Sequence, residues 1–190
     1  TISSLRDITP LQDHFALLLL PIALVYKLLP NAYTLLALQS LALGSLTALS
    51  AELCRRRNIA PQLTWALAIA ITLNPYSFLV NRGEFHIEVL TLPLMLLAIT
   101  ETTQKRRWLY YTSLLLSLFA KSAQALFGFG LALYALARGQ WTRAGITAGV
   151  SLAWWLIATE MASAGGNYIN LRLGYLGGSK LEIITTLLSK

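Results

Sequence analysis

Charge is scarce in this chain, and negative charge is scarcer. Of 190 residues 12% are charged, with eight acids against fifteen lysines and arginines, where soluble domains carry about a quarter charged residues. That shortage, with 56% apolar residues and a mean hydropathy of +0.60, excludes an ordinary soluble domain. Cysteine is nearly absent, and the lone Cys54 excludes an internal disulfide. Histidine occurs only at His14 and His86. There is no HExxH or CxxC metal spacing, no G-x-x-x-x-G-K-[ST] phosphate loop and no G-x-S-x-G elbow. No DNA-binding signature is present either, so the net charge of +7 does not point to nucleic acid. Its clusters lie at the ends of apolar blocks, as membrane-orientation signals do.

What the chain has is long apolar blocks, several near the length of about 20 residues that one helical membrane crossing needs. Residues 1–14 read as an outer loop. Residues 15–29, with Pro21 in the middle, are short for a crossing and read as an interfacial helix. Membrane segments are expected at 33–53, 62–80, 87–100, 108–120, 122–137 and 145–161, followed by a Gly-rich outer loop at 162–180. The division at Lys121 follows from length: 108–137 as one helix would run about 45 Å against a hydrocarbon core of about 30 Å. A single tilted helix with a snorkelling lysine is the alternative. Gly145 and Gly149 form a GxxxG pattern able to bring helices close. The fold class is therefore all-α, a polytopic transmembrane helical bundle in one membrane-embedded domain over 1–190. The chain opens on Thr1 rather than Met and stops at Lys190 inside an apolar run, so it reads as a fragment of a longer protein.

Arg55–Arg57, Lys105–Arg107, Arg138 and Arg143 fall on one side of this topology, eight cations against Glu52 and Glu101. The positive-inside rule makes that side cytoplasmic. Asp7, Asp13, His14, Glu84, His86, Glu88, Glu160 and Glu182 then face outward, with Lys121 and Arg172.

The densest polar stretch is Asn81 to Val89, between two apolar runs. Glu84, His86 and Glu88 alternate, so an extended segment would aim all three one way, while a helix would pair Glu84 with Glu88. Such a cluster reads as a functional site or as a solvated loop. His14 and His86 with Glu84 are candidate ligands for a divalent metal, zinc or manganese by donor type. The same groups, with Asp13 and Glu88, could serve as general acid and base. Lys121 needs an anionic partner: Glu84, Glu88 or a phosphate on a lipid-linked ligand. Arg172, near Tyr168, Tyr175 and Gly177-Gly178-Ser179, suits phosphate contact, though a plain loop explains it equally. Glu160, beside Trp154-Trp155, needs no site beyond a membrane interface.

Several short motifs recur in order: Asp13-His14-Phe15, Leu29-Pro30, Glu84-Phe85-His86 with Glu88, Leu92-Pro93, Lys121 at the helix break, and Tyr175-Leu176-Gly177-Gly178-Ser179 with Glu182-Ile183. In these the chain resembles an uncharacterised family of bacterial multipass membrane proteins related to the GT-C glycosyltransferases. The resemblance implies a GT-C-like fold and an inverting transferase that takes sugar from a polyprenyl-phosphate donor at the outer face of the bacterial inner membrane. It implies a catalytic carboxylate in the first outer loop, of which Asp7 and Asp13 are the acids left here, so a general base outside this chain stays open. Ser122-Ala123 stands where an acidic pair is commoner. On this reading Asp13, Glu84, His86 and Glu88 are the catalytic candidates, and His14, Lys121, Arg172 and Tyr175 contact substrate. Membrane lipid is the expected partner. Broken helices at Pro21, Pro75 and Pro93 keep a transporter open, and a membrane assembly subunit is the third reading.

Overall fold

The computed structural model describes residues 15–102, 104–163, 182, 185 and 186. Asp13, His14, Arg172, Tyr175 and most of the two expected outer loops lie outside the described residues. Among those described, every regular element is helical and there is no strand.

The helix starts follow local chemistry. Helix α1 (Leu19–Leu28) and helix α2 (Ala32–Arg56) meet at Pro30-Asn31. Asn31 Oδ1 accepts the Tyr33 N–H at 3.0 Å and caps α2. The segment expected at 62–80 is one membrane-length stretch, Pro61–Arg82, interrupted before Pro75 into two helices, α3 (Pro61–Thr72) and α4 (Pro75–Arg82). Both begin on proline, whose missing N–H would have no partner there anyway, and Asn74 caps α4 through the Tyr76 N–H at 3.0 Å. A 3₁₀ turn, Ile87–Leu90, leads into α5 (Thr91–Glu101). Pro21 and Pro93 each stand third in their helix, within the first turn, so they start α1 and α5 rather than break them. Helices α6 (Arg107–Leu118) and α7 (Gln124–Ala137) are separated by a turn at residues 119–123, and α8 (Trp141–Ser163) follows. Gly139, at φ +71°, closes α7: its N–H and that of Gln140 bond Leu136 O and Ala135 O, both at 2.9 Å.

Among the described residues three stretches are long and apolar enough to cross a membrane: Ala32–Arg56, Pro61–Arg82 and Trp141–Met161. They leave large apolar side chains facing outward, including Leu41, Leu63, Trp65, Ile69, Leu152 and Ile157, as lipid-facing surfaces do. The interior is built where α5, α6, α7 and α8 meet, with Ala98, Tyr110, Leu114, Leu118, Leu131 and Trp154 in one cluster. The GxxxG pattern makes no close approach, since a Cβ added at Gly145 or Gly149 would meet open space. Among the described glycines the crowded one is Gly128 of α7, where an added Cβ would lie 2.0 Å from Ser151 Oγ and 2.8 Å from Ser151 Cβ of α8.

The chain path gives the bundle two polar ends. One holds the start of α2, the end of α4, the 3₁₀ turn, the end of α6 and the start of α7. The other holds the end of α2, the end of α5, the start of α6, the end of α7 and the start of α8. The helices differ in length. At 1.5 Å per residue α5, α6 and α7 rise only about 16–21 Å, whereas α2 and α8 rise about 35–37 Å.

Candidate functional site

At the first end, Lys121 Nζ donates to Glu88 Oε1 at 2.6 Å. The local chain explains how each arrives. Helix α6 stops after Leu118, and the turn returns Leu18 N–H to Phe119 O at 2.9 Å before Lys121 N–H closes on Leu118 O at 3.2 Å. Lys121 thus sits between two helices, and its ammonium projects from a break rather than from a helix flank. Glu88 sits second in the 3₁₀ turn, whose carbonyl accepts from Thr91 Oγ1 at 2.6 Å, while Gln124 Nε2 of α7 reaches Thr91 Oγ1 at 3.3 Å. Both charged side chains remain partly accessible, at 24% for Lys121 and 39% for Glu88.

Two side chains from long helices brace this arrangement. Gln39 of α2, fully buried, donates to Val80 O at 3.0 Å and accepts the His86 N–H at 2.7 Å, so one amide holds both edges of the 81–86 connection. Trp154 of α8 aims Nε1 at Lys121 O, 3.4 Å away, and its ring packs on Phe15 and Phe119 with centroids at 5.7 and 5.0 Å.

The alternation read at 84–88 is only half kept. Phe85 and Ile87 pack against the cluster of Leu18, Ile22 and Ala120, leaving Glu84 and His86 exposed with no side-chain hydrogen bond or ion pair among the described residues. The 3₁₀ turn then breaks the period-two pattern at Ile87 and swings Glu88 toward Lys121. Of the sequence candidates, the structure therefore brings together Glu88 and Lys121. No group of three or more His, Cys, Asp or Glu converges among the described residues, and the candidate ligand His14 lies outside them.

A second ionic assembly, missed in the sequence reading, occupies the other end. Glu101, fully buried at the end of α5, pairs with Arg56 at 2.7 Å, and Arg56 also holds Glu52 at 2.6 Å. The second Glu101 oxygen, Oε2, is buried without a hydrogen bond. Arg143 of α8 donates to Glu101 O at 2.9 Å and Gln104 O at 3.0 Å, with its guanidinium 5.0 Å from the centre of the Tyr110 ring. Arg57 donates to the Tyr134 hydroxyl, joining α2 to α7. The only local signal was Glu52 with Arg55 and Arg56 at i+3 and i+4.

Compared with known proteins, residues 1–190 match the model of a family described as "Predicted membrane protein (DUF2079)". No curated protein and no solved structure matches the chain.

Proposed function

Since the chain belongs to the DUF2079 family of predicted membrane proteins, we propose that this integral membrane protein is part of a GT-C-like inverting glycosyltransferase. It uses a polyprenyl-phosphate-linked sugar at the outer face of the bacterial inner membrane. The observation that carries the reading is the Lys121–Glu88 pair at 2.6 Å, accessible yet braced by two membrane-length helices. Trp154 lies thirteen residues into α8, about 20 Å along its axis, and the helix continues about 14 Å beyond. The pair therefore lies below the rim set by the longer helices, at a depth where an unpaired charge is expensive. A cation and a carboxylate kept together at that depth, in reach of solvent, suit a ligand that exchanges for one of them.

In the reaction, the donor phosphate takes Lys121 Nζ from Glu88. The freed carboxylate accepts the proton of the acceptor hydroxyl as its oxygen bonds to the anomeric carbon, and the carbon–phosphate oxygen bond breaks with inversion. Lys121 neutralises the charge gathering on the leaving phosphate. Asp13, His14, Arg172 and Tyr175 complete the site in this reading, with Glu84 and His86 at its rim.

A transporter would need polar groups along a path between the two ends. Ala98, Leu114, Leu118 and Leu131, all at most 2% exposed, pack between them, and the buried hydroxyls among them are taken up internally, Ser117 by Ser113 O, Ser151 by Thr147 O and Tyr110 by Thr147, which favours a site open to one side. The test is transfer from a polyprenyl-phosphate sugar by the full-length protein in proteoliposomes. Glu88→Gln should lower turnover by about 10²-fold or more, and Lys121→Met should raise the donor concentration needed, with thermal unfolding monitored for both. Undiminished turnover in Glu88→Gln removes its role as base. Absence of transfer by the wild type, across donors, overturns the reading itself.

A further inference from the structure

At the end remote from Lys121, a cleft of about 420 Å³ opens between the first turns of α6 and α8. Its walls include Arg107, Tyr111, Gln140, Trp141, Thr142 and Arg143, and no acid among the described residues lines it. Arg107 is exposed and makes no side-chain hydrogen bond or ion pair among the described residues. Arg143 is buried, and its two bonds to carbonyl oxygens leave three of its five N–H donors unused among the described residues. Those bonds and the Tyr110 ring hold the guanidinium in place before any ligand arrives. Glu101, whose main-chain carbonyl it bonds, has its carboxylate already paired with Arg56.

The backbone contributes in the same sense. The N–H groups of Trp141, Thr142 and Arg143 belong to the first turn of α8, where no intrahelical acceptor exists. Three of the carbonyls ending α7, those of Tyr134, Ala135 and Leu136, which would repel an anion, are occupied by Arg138, Gly139 and Gln140 N–H groups. Lys105, Arg106 and Arg138 lie exposed near the same end of the bundle.

We propose that this cleft binds the phosphate of an anionic membrane phospholipid. Free phosphate shares the chemistry, but the surroundings specify a lipid. Trp108 and Trp141 are 67% and 74% exposed at the starts of α6 and α8, the placement of tryptophans at a membrane–water interface. Tyr111 and Ile146 give the cleft an apolar wall on which the glycerol and upper acyl chains can rest. Basic recesses between membrane helices at headgroup level bind anionic headgroups in this way. The proposal needs only an integral membrane protein and does not depend on the transferase reading.

The test uses the full-length protein purified into nanodiscs of phosphatidylcholine, with or without phosphatidylglycerol. Retained lipid is counted by native mass spectrometry and thermal unfolding is followed in parallel. Phosphatidylglycerol should be retained in preference and raise the unfolding temperature. Arg107→Gln should weaken that retention about tenfold, the scale of one charge-assisted hydrogen bond, while Lys27→Gln on α1 leaves it unchanged. Arg107 faces the cleft without holding another element, so its variant separates binding from folding where an Arg143 variant would not. Equal retention of the two lipids, or Arg107→Gln behaving as wild type, overturns the proposal. Inorganic phosphate giving the same stabilisation without anionic lipid overturns the assignment to lipid.

Discussion

Adding a single methyl group at Gly128 tests whether α7 and α8 are packed as closely as the structure places them. The new Cβ would lie 2.0 Å from Ser151 Oγ, 2.8 Å from Ser151 Cβ and 3.5 Å from Leu118 Cδ2. The hydroxyl can rotate away only by giving up its 2.7 Å bond to Thr147 O, and the Ser151 Cβ cannot rotate at all. Overpacking costs about 1–3 kcal/mol, and a 2.8 Å approach to a Cβ that cannot rotate puts this case in the upper part, about 2–3 kcal/mol. Alanine returns about 1 kcal/mol as the better helix former. The expected net loss for Gly128→Ala is therefore about 1–2 kcal/mol, read by reversible unfolding in bicelles. Ser151→Gly transfers the small residue to the facing helix and should rescue the first change, being less harmful in the G128A background than alone. Leucine at 128 has no such escape, with Leu118 behind it, and should prevent folding. A G128A protein as stable as wild type, or one that Ser151→Gly makes worse by the full additive amount, refutes the close approach. The consequence reaches the site, because α8 carries Trp154 to Lys121 O.

Gln39→Leu leaves the His86 N–H and Val80 O without their partner and should cost about 2 kcal/mol; faster hydrogen exchange across residues 80–88 is the local check, and unchanged protection would contradict the bracing role. Arg56→Ala strands the buried Glu101 carboxylate and should cost about 3 kcal/mol. Arg55→Ala, whose partner Glu52 keeps Arg56, should leave the unfolding midpoint unmoved; equal losses would show that the network does not discriminate between them. Cys54, 4% exposed, should resist maleimide in the folded protein and label promptly on unfolding. Prompt labelling under native conditions would mean that the end of α2 opens readily.

The helices were legible where their signals are local. Pro30-Asn31 and Asn74-Pro75 mark interruptions, and the excess length around Lys121 favoured the break that separates α6 from α7 over a single tilted helix. That Lys121 needed an anion was also readable, since its cost depends on depth rather than on the partner's identity. Which anion it takes was not: Glu88 lies 33 positions away and is selected by a 3₁₀ turn that the alternation of Glu84, His86 and Glu88 conceals. Phe85 and Ile87 decide the direction of the segment, because burying them leaves Glu84 and His86 outside. Glu101 read as one of two acids in a basic region; its burial arises from Arg56, 45 positions earlier, and from packing that brings α8 over it. Gly128 was silent for a similar reason. A glycine gains meaning only from the residue opposite, and Ser151 comes from another helix.

The unequal helix lengths have a mechanical consequence for the bilayer. A hydrocarbon layer of about 30 Å matches α2 and α8, but α5, α6 and α7 fall about 10 Å short of it. Hydrophobic mismatch costs fractions of a kcal/mol per Å, so a bilayer stretched over the short helices would resist by several kcal/mol. Thinning the leaflet above Lys121 relieves that stress, and it brings headgroups and water down to the level of the charge pair. For the proposed reaction such a dent would act as a funnel: the donor's phosphate would reach Lys121 while its long chain stays in undisturbed bilayer.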